Sequence, residues 1–528
     1  MAANSSNCPI NKVDSNITGL AYAEEQCIGV LPDGPVVGDR AGGIWRPMNP
    51  NEYDDFGGET SLTARDPITA SRQEQKGVIT DLEASGGFNQ DVTHSALQRP
   101  LQGFFFADAR ERPSSQPISD DAQYLITLTA LTANGLDFGT GSGGKLKTGD
   151  ILRLSNMSNN SNNRNNVTIS SVVGDSVVTG ATFVPESATP QSKVEVVGFQ
   201  FPVGDLSVSF STTEQLRLQS ASQDLTLLGY NVGEWIFIGG DNPLTFFDDN
   251  QGYARIEEIT SGYLTLKEPT WTPANDAGAG KLVQVYTGTF IRNEDDPALI
   301  KRRSYQFERT LGQDNNGVQS EYITGAVADQ FTLNLSTADK MTADLSYMAL
   351  NNELRSGSDG LKPGNRDETF PIEDAFNTTS DVFQMRLFIN DPLKATPESL
   401  YAKVMEASIS IENNASGNKC IGNLGNFDIT VGNFVVTGEV EAYFSTVAAV
   451  NAVKRNADAG FNLISTKDNT GFVYDIPLLS LGGGRVGVEK DEPIKLPLEK
   501  KGAENHMGFT LGATFFNYLP DAAMAEIA

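Results

Sequence analysis

The sequence predicts a mainly β protein, with a sandwich or barrel core, a short helix and two small inserted β-modules. Three observations predict it. Apolar and polar residues alternate in runs along the chain, above all over 427–444, and period-two alternation puts one strand face on a core and the other toward water. The 51 Gly and 24 Pro, with abundant Thr, Ser, Val and Asn, suit strands and loops more than helices. The 528 residues exceed what one hydrophobic core organises, so the chain divides into domains.

The elements follow in chain order. Residues 1–60 read as an extended N-terminal arm whose Trp45, Met48, Tyr53 and Phe56 dock on a neighbour, or as disordered chain. Residues 61–118 and 290–528 read as one discontinuous core. Within the first part, a helical pattern over 95–106 contains Pro100, which either kinks the helix or starts it. Two modules follow, 119–200 and 201–289. Each reads strand, long polar loop, strand, tight turn, strand, which makes a weak internal repeat. Strand signals strengthen after Lys301: 304–308, 331–336, 341–347, 383–389 and 407–411 alternate. Residues 351–381 read as a long polar loop of the kind that usually carries function.

The 427–444 run is broken by Gly432 and Asn433, which suggests a hairpin or bulge. Before the break, Phe427, Ile429 and Val431 share a face. After it, Phe434, Val436, Val440, Ala442 and Phe444 share one face and Val435, Thr437, Glu439, Glu441 and Tyr443 the other. A short helix over 447–458 and a last alternating run over 508–518 complete the chain.

Charge and motif content narrow the function classes. Lys and Arg number 39 against 67 Asp and Glu, a formal net charge of −28. That argues against an electrostatic nucleic-acid binder, which needs clustered cations, but allows a surface that DNA slides past. Cys8, Cys27 and Cys420 are odd in number and match no metal spacing, so they read as free thiols in a reducing cytoplasm. No apolar run approaches the roughly 20 residues of a membrane span, and the polar start lacks the apolar segment of a secretion signal. His94 and His506 lie in no catalytic motif, and Gly482, Gly483 and Gly484 lack the residues of a phosphate loop. The Asp248-Asp249-Asn250 stretch lacks the closing Glu of a calcium loop. The reading is therefore of no enzyme, with no catalytic residue, cofactor or metal. Lys301, Arg302 and Arg303 form a small basic cluster at a strand entrance, a solvated edge or a source of inter-subunit salt bridges.

The order of the segments carries a resemblance. Arg303-Ser304-Tyr305-Gln306-Phe307-Glu308-Arg309 precedes Glu321-Tyr322-Ile323-Thr324-Gly325-Ala326, then Phe331-Thr332-Leu333-Asn334-Leu335 and the 341–347 strand. Ser408-Ile409-Ser410-Ile411-Glu412 and the 434–444 strand follow. With the Gly233-Glu234-Trp235-Ile236 run and the stretch from Arg65 to Gly77, this resembles the major tail tube proteins of long-tailed, siphovirus-type bacteriophages. The module at 122–198 has no counterpart in the resemblance.

The resemblance implies a tail-tube-type β-sandwich or barrel core in a structural virion protein. Hexameric rings would stack into the tail tube, enclose the tape-measure protein and form the conduit for DNA ejection. Partners would be the chain itself, the tape-measure, tail terminator and tail-tip proteins, and double-stranded DNA passing without specific binding. The protein would be made and assembled in the host bacterial cytoplasm and reside in the virion tail. Asp344, Glu439 and Glu441 would face the lumen, where an acidic wall repels phosphate. Lys301, Arg302 and Arg303 would contact neighbouring subunits. The N-terminal arm and the 351–381 loop would touch the next ring. A carbohydrate-binding, adhesin-like modular β-protein and another tail or capsid component are the alternatives.

Overall fold

A computed structural model describes residues 18–32, 43–68, 70, 72–119, 121–211, 215–314, 317–366, 373–391, 393–400, 403–443, 447–488, 490 and 493–525. Among them are 33 strands and two short α-helices. The strands form open sheets, none closed into a barrel.

The chain enters through β1 (Gly19–Glu24) and β2 (Ile44–Met48), which pair with each other. Trp45 is buried, its ring 5.7 Å from that of Tyr322. The described part of the N-terminal stretch is thus woven into the main sheet, because its few large apolar residues find partners there. A long hairpin follows, β3 (Pro50–Arg65) and β4 (Gln75–Asp91). Helix α1 (Gln98–Phe105) then begins two residues before Pro100 and continues past it. The missing N–H of Pro100 falls on one of the first-turn groups that lack an intrahelical partner in any case. Gly103 lets this helix lie on Tyr305, because a Cβ there would sit 2.6 Å from the tyrosine oxygen.

Two runs of strands come next. The first is β5 (Leu128–Thr132), β6 (Gly135–Phe138), β7 (Asp150–Ser155), β8 (Arg164–Val173), β9 (Ser176–Thr179), β10 (Glu186–Ser187) and β11 (Lys193–Gln200). The second is β12 (Leu206–Phe210), β13 (Leu216–Ser220), β14 (Trp235–Ile238), β15 (Gly252–Ile259), β16 (Tyr263–Lys267) and β17 (Gln284–Tyr286). All 13 form one antiparallel sheet, joined where β11 pairs with β17. Outward from that joint, one half runs β11-β7-β8-β9-β6-β5, with the two-residue β10 added at its rim, and the other β17-β14-β15-β16-β13-β12. The strand order is the same, which gives the internal repeat of the sequence a structural form. Each half keeps its own apolar cluster, one around Leu152, Val167 and Phe183, the other around Phe201, Ile236 and Leu264.

The remaining strands are β18 (Thr289–Arg292), β19 (Tyr305–Asp314), β20 (Gly317–Ser336), β21 (Thr342–Ala349), β22 (Asn351–Gly357), β23 (Asn365–Arg366), β24 (Val382–Ile389), β25 (Glu398–Ser399), β26 (Val404–Glu412), β27 (Ser416–Asn418), β28 (Asp428–Thr430) and β29 (Val435–Tyr443). After α2 (Val447–Lys454) come β30 (Ala459–Lys467), β31 (Thr470–Gly483), β32 (Lys495–Gly502) and β33 (Gly512–Phe516). The first half of β20 pairs with β19 and β22, and its second half with β21 and β26. One layer runs β3-β4-β21-β20-β26-β29-β32. It passes through β31 into a second layer, β24-β30-β31-β33-β18.

Between the layers lies the main core. Leu333, Leu345, Ile409 and Val440 come from the first layer and Phe461, Tyr474 and Phe515 from the second, joined by Leu101 and Phe104 of α1. On its other side the second layer packs against the 13-stranded sheet. Val473 and Phe516 meet Trp235, Tyr253 and Tyr286 there. Across the same contact Arg255 reaches Asp475 at 3.0 Å, while Glu268 of its own sheet holds it at 2.7 Å.

Two expectations are corrected. The 351–381 stretch is not wholly loop: residues 351–357 form β22, an edge strand on β20. Its polar side chains suit an edge strand with one side in water. Gly432 and Asn433 make neither a hairpin nor a bulge. β28 pairs with β27 in a separate two-stranded sheet, while β29 belongs to the main one. Gly432 instead donates its N–H to Asn413 at 2.8 Å as the chain crosses between them. Phe427 is accordingly exposed while Ile429 is buried, and Phe444 lies outside the described residues.

One core side chain carries a measurable cost. Lys500 on β32 is 2% exposed. Its Nζ lies 3.6 Å from the centre of the Phe461 ring, with no hydrogen-bond partner among the described residues. Burial pushes the amine down to about 7, whereas the unfolded chain holds that proton to about pH 10. Between those values the unfolded state binds more protons, so stability rises with pH; below about 7 the penalty is present in full. Lys500→Met is expected to stabilise the protein at neutral pH by about 2 kcal/mol and to remove that rise. Urea midpoints measured across the alkaline range check this, and parallel profiles for the two proteins would contradict it.

Candidate functional surfaces

The outer face of the first layer is polar by alternation. In β29, Val436, Val440 and Ala442 are buried, so Thr437, Glu439 and Glu441 take the other side. The same phase holds in β26, where Ala407, Ile409 and Ile411 point inward and Glu406, Ser408 and Ser410 outward. Register then lines these residues up across strands. One row reads Asn89, Asp344, Thr332, Ser410, Thr437 and Lys501. The next contains Asp91, Thr342, Asn334 and Ser408, then Glu439 opposite Glu499. Ser408 Oγ accepts the Glu439 N–H at 3.1 Å and keeps this row continuous. A third row pairs Ser336 with Glu406 and Glu406 with Glu441.

Asp344, Glu439 and Glu441 therefore share one face of one sheet, and none of them lies in the core. Asp344 is fixed: Asn89 Nδ2 and Asn334 Nδ2 each donate to its carboxylate at 2.6 Å. Glu439 against Glu499 and Glu406 against Glu441 are like-charge pairs directly across strands. Such pairs weaken a sheet, so this face carries more acid than folding calls for. Sequence reading missed Glu406 and Glu499. The signal for Glu499 was the alternation of Leu496 and Leu498 with their polar neighbours, which marks β32.

The basic cluster is divided. Lys301 is exposed, and its backbone N–H donates to Phe106 at 2.7 Å. Arg302 is half-exposed, 3.3 Å from Asp428 and also bonded to the Ile429 carbonyl. Arg303 is buried; it donates to the Ala107 carbonyl at 3.0 Å and to Asp108, and its Nε lies in ion-pair range of Glu24 at 3.2 Å.

The β3–β4 hairpin supplies a second surface. Residues 84–91 of β4 pair with β21, but residues 75–83 pair with β3 alone. Leu62 faces Ile79 and Thr63 faces Val78 on this two-stranded ribbon. Leu62, Val78 and Ile79 are all more than half exposed. An isolated hairpin is marginal in water, and β3 is also an open edge of the layer, with unused backbone donors and acceptors.

Other sequence candidates resolve into internal contacts. His94 is buried beside Asn517 Oδ1 at 3.1 Å, and burial pushes its imidazole down. Asn250 Oδ1 accepts from Trp271 Nε1 at 3.1 Å and from the Ala274 N–H at 2.9 Å, which ties that acidic turn to the 271–274 segment. Among the described residues no cluster of His, Cys, Asp and Glu is placed to hold a metal, and no helix is long and apolar enough to cross a membrane.

A family model described as phage tail tube protein matches residues 15–502. No curated protein matches the chain. The division of the basic cluster generates one test. Arg303→Ala is expected to lower folding stability by about 2 kcal/mol, through lost charge-assisted hydrogen bonds, while Lys301→Ala leaves it nearly unchanged. Urea denaturation of both variants decides, and equal effects would remove the distinction.

Proposed function

Because the chain belongs to the phage tail tube protein family, and so is a structural component of the virion tail, we propose that its copies form hexameric rings that stack into the tail tube. The observation that carries this reading is the acidic outer face of the first layer. A sheet that accepts like-charge pairs across its strands gains nothing in folding from them. It gains a surface to which a polyanion does not adhere. The Asp344, Glu439 and Glu441 face would line the lumen, which encloses the tape-measure protein during assembly and passes double-stranded DNA at ejection. Tail terminator and tail-tip proteins would close the two ends. Assembly would take place in the host bacterial cytoplasm.

The open β3 edge supports ring closure by strand addition to a neighbour, which satisfies its backbone groups and removes an aggregation hazard. The ribbon with Leu62, Val78 and Ile79 supports contact with another copy, which would cover its apolar side chains. The arm at 1–60 and the 351–381 stretch would take part in ring-to-ring contacts, with Lys301 and the exposed side of Arg302 available at subunit boundaries. In domain terms, 61–118 and 290–528 would form the tube wall, and the modules at 119–200 and 201–289 would decorate it.

Negative-stain electron microscopy of the concentrated protein is the direct test. Hollow tubes or stacked rings are expected, and a protein monomeric at every concentration, even with its tail-tip partners added, would count against the proposal. Leu62→Asp with Ile79→Asp should shorten or abolish the tubes while the folded monomer survives. Tubes of normal length from this variant would remove the ribbon from the contact. Glu439→Lys with Glu441→Lys should leave tubes intact but slow DNA release in a salt-dependent way. Release at the normal rate would show that the wall charge has no part in passage.

A further inference from the structure

The first layer has two ends, and they carry opposite charge. At one end β3 pairs with β4 alone, and its Glu52, Asp54, Asp55 and Glu59 are exposed. Glu52 pairs with Asn89 and so begins the first polar row. At the other end that row reaches Lys501 and then Ser480 of β31. Residues 480–483 of β31 pair with β32 alone among the described residues, since the pairing with β30 stops at Leu479 and that with β33 at Asp475. Helix α2 packs beside their end: Val453 lies 3.4 Å from where a Cβ on Gly484 would stand. That brings Lys454 and Arg455, at the helix end, to the same corner as Arg485. Lys454, Arg455, Arg485 and Lys501 are all exposed, and no side chain among them has an ion-pair or hydrogen-bond partner among the described residues. A chain of formal net charge −28 offers its cations an excess of acids, yet these four stay unpaired.

Direction and charge together select the partner. Each step from β3 through β4, β21, β20, β26, β29 and β32 to β31 is antiparallel. An odd number of such steps leaves β31 running opposite to β3. The β3 edge of one copy therefore meets the 480–483 edge of another in antiparallel sense, like every other pair in the layer. Pairing two β3 edges would set Glu52 and Asp54 against their own kind, and like charges across strands weaken a sheet. A contact between unlike ends is heterologous, and repeated by rotation it closes a ring.

We propose that the acidic β3 edge of one copy docks on the basic corner made by β31, β32 and α2 of the next copy. This rests on the tube reading and deepens it, because it names the surface that receives β3 and the charges that set the order of ends.

Two full-length variants test it. One carries Glu52→Lys, Asp54→Lys and Glu59→Lys; the other carries Lys454→Glu, Arg455→Glu and Arg485→Glu. These side chains are exposed, so both variants are expected to keep the urea midpoint of the unaltered protein. Each alone should need roughly tenfold more protein to assemble. An equimolar mixture should assemble as the unaltered protein does, because copies with two basic ends then alternate with copies with two acidic ends. A mixture no better than either variant would overturn the proposal. So would normal assembly of the second variant with a change only in DNA release, which would assign the corner to a polyanion instead. Failure of the unaltered protein to form tubes would count against the tube reading, and docking would then be read from mixed complexes of the two variants by native mass spectrometry. Absence of such complexes would overturn the docking itself.

Discussion

Everything in the main sheet depends on how β20 changes partners. Twenty residues of strand are too many for one flat neighbourhood, and typical strands have about five or six. β20 pairs with β22 up to Thr324 and with β21 from Val327. At the change sits Gly325, with φ at +64° and its missing Cβ only 2.5 Å from where Leu350 packs. Its N–H donates to Glu25 Oε1 at 3.0 Å. The same carboxylate accepts from Gly29 N–H at 2.7 Å and Ser304 Oγ at 2.6 Å, and burial raises its pKa. A buried acid from the N-terminal stretch thus fixes the bend that sets the phase of both halves of β20. Because side-chain direction has period two, the phase decides which residues of every later strand face water.

That phase is what makes the acidic face possible, and the face has a cost. Glu439, Glu499, Glu406 and Glu441 repel one another across strands, though water and salt reduce the penalty. The main core supplies what offsets it. Phe331, Phe461, Phe472 and Phe515 fill the space between the layers, and a second apolar contact holds the 13-stranded sheet behind them. The buried Arg255, Glu268 and Asp475 cluster adds direction more than stability, since buried ion pairs seldom outweigh their desolvation. It sets how the module sheet sits on the layer that backs the polar face.

Legibility followed the same physics. The 434–444 alternation was readable, and with it the side on which Glu439 and Glu441 lie, because period two is a local signal. Asp344 was readable for the same reason. The Gly432-Asn433 break was misread because a turn signal gives no information about which sheet each flank joins. The Asn413 carbonyl that receives Gly432 is nineteen residues away in sequence but adjacent in space. β22 was hidden because an edge strand with polar side chains has no apolar rhythm. Arg303 looked like a surface cation until Ala107 and Glu24 came beside it, and no spacing in the chain announces that contact.

The repeated modules show how one constraint is met twice. A module of six or seven strands left alone exposes two edges, and unpaired edges invite aggregation. Pairing β11 with β17 removes one edge from each half at a single joint, with Gln284 Nε2 donating to Gln200 Oε1 at 2.9 Å beside it. The outer edges that remain differ. On one side β10 is two residues long, too short to template a partner. On the other, β12 is bridged at Val208 by Asp276 of the connection between β16 and β17. A duplicated unit with matching strand order can make such a joint because the two joining edges are equivalent. An unrelated second module would need its own solution. The two halves are therefore better understood as one extended sheet with an internal symmetry than as two independent insertions that happen to touch.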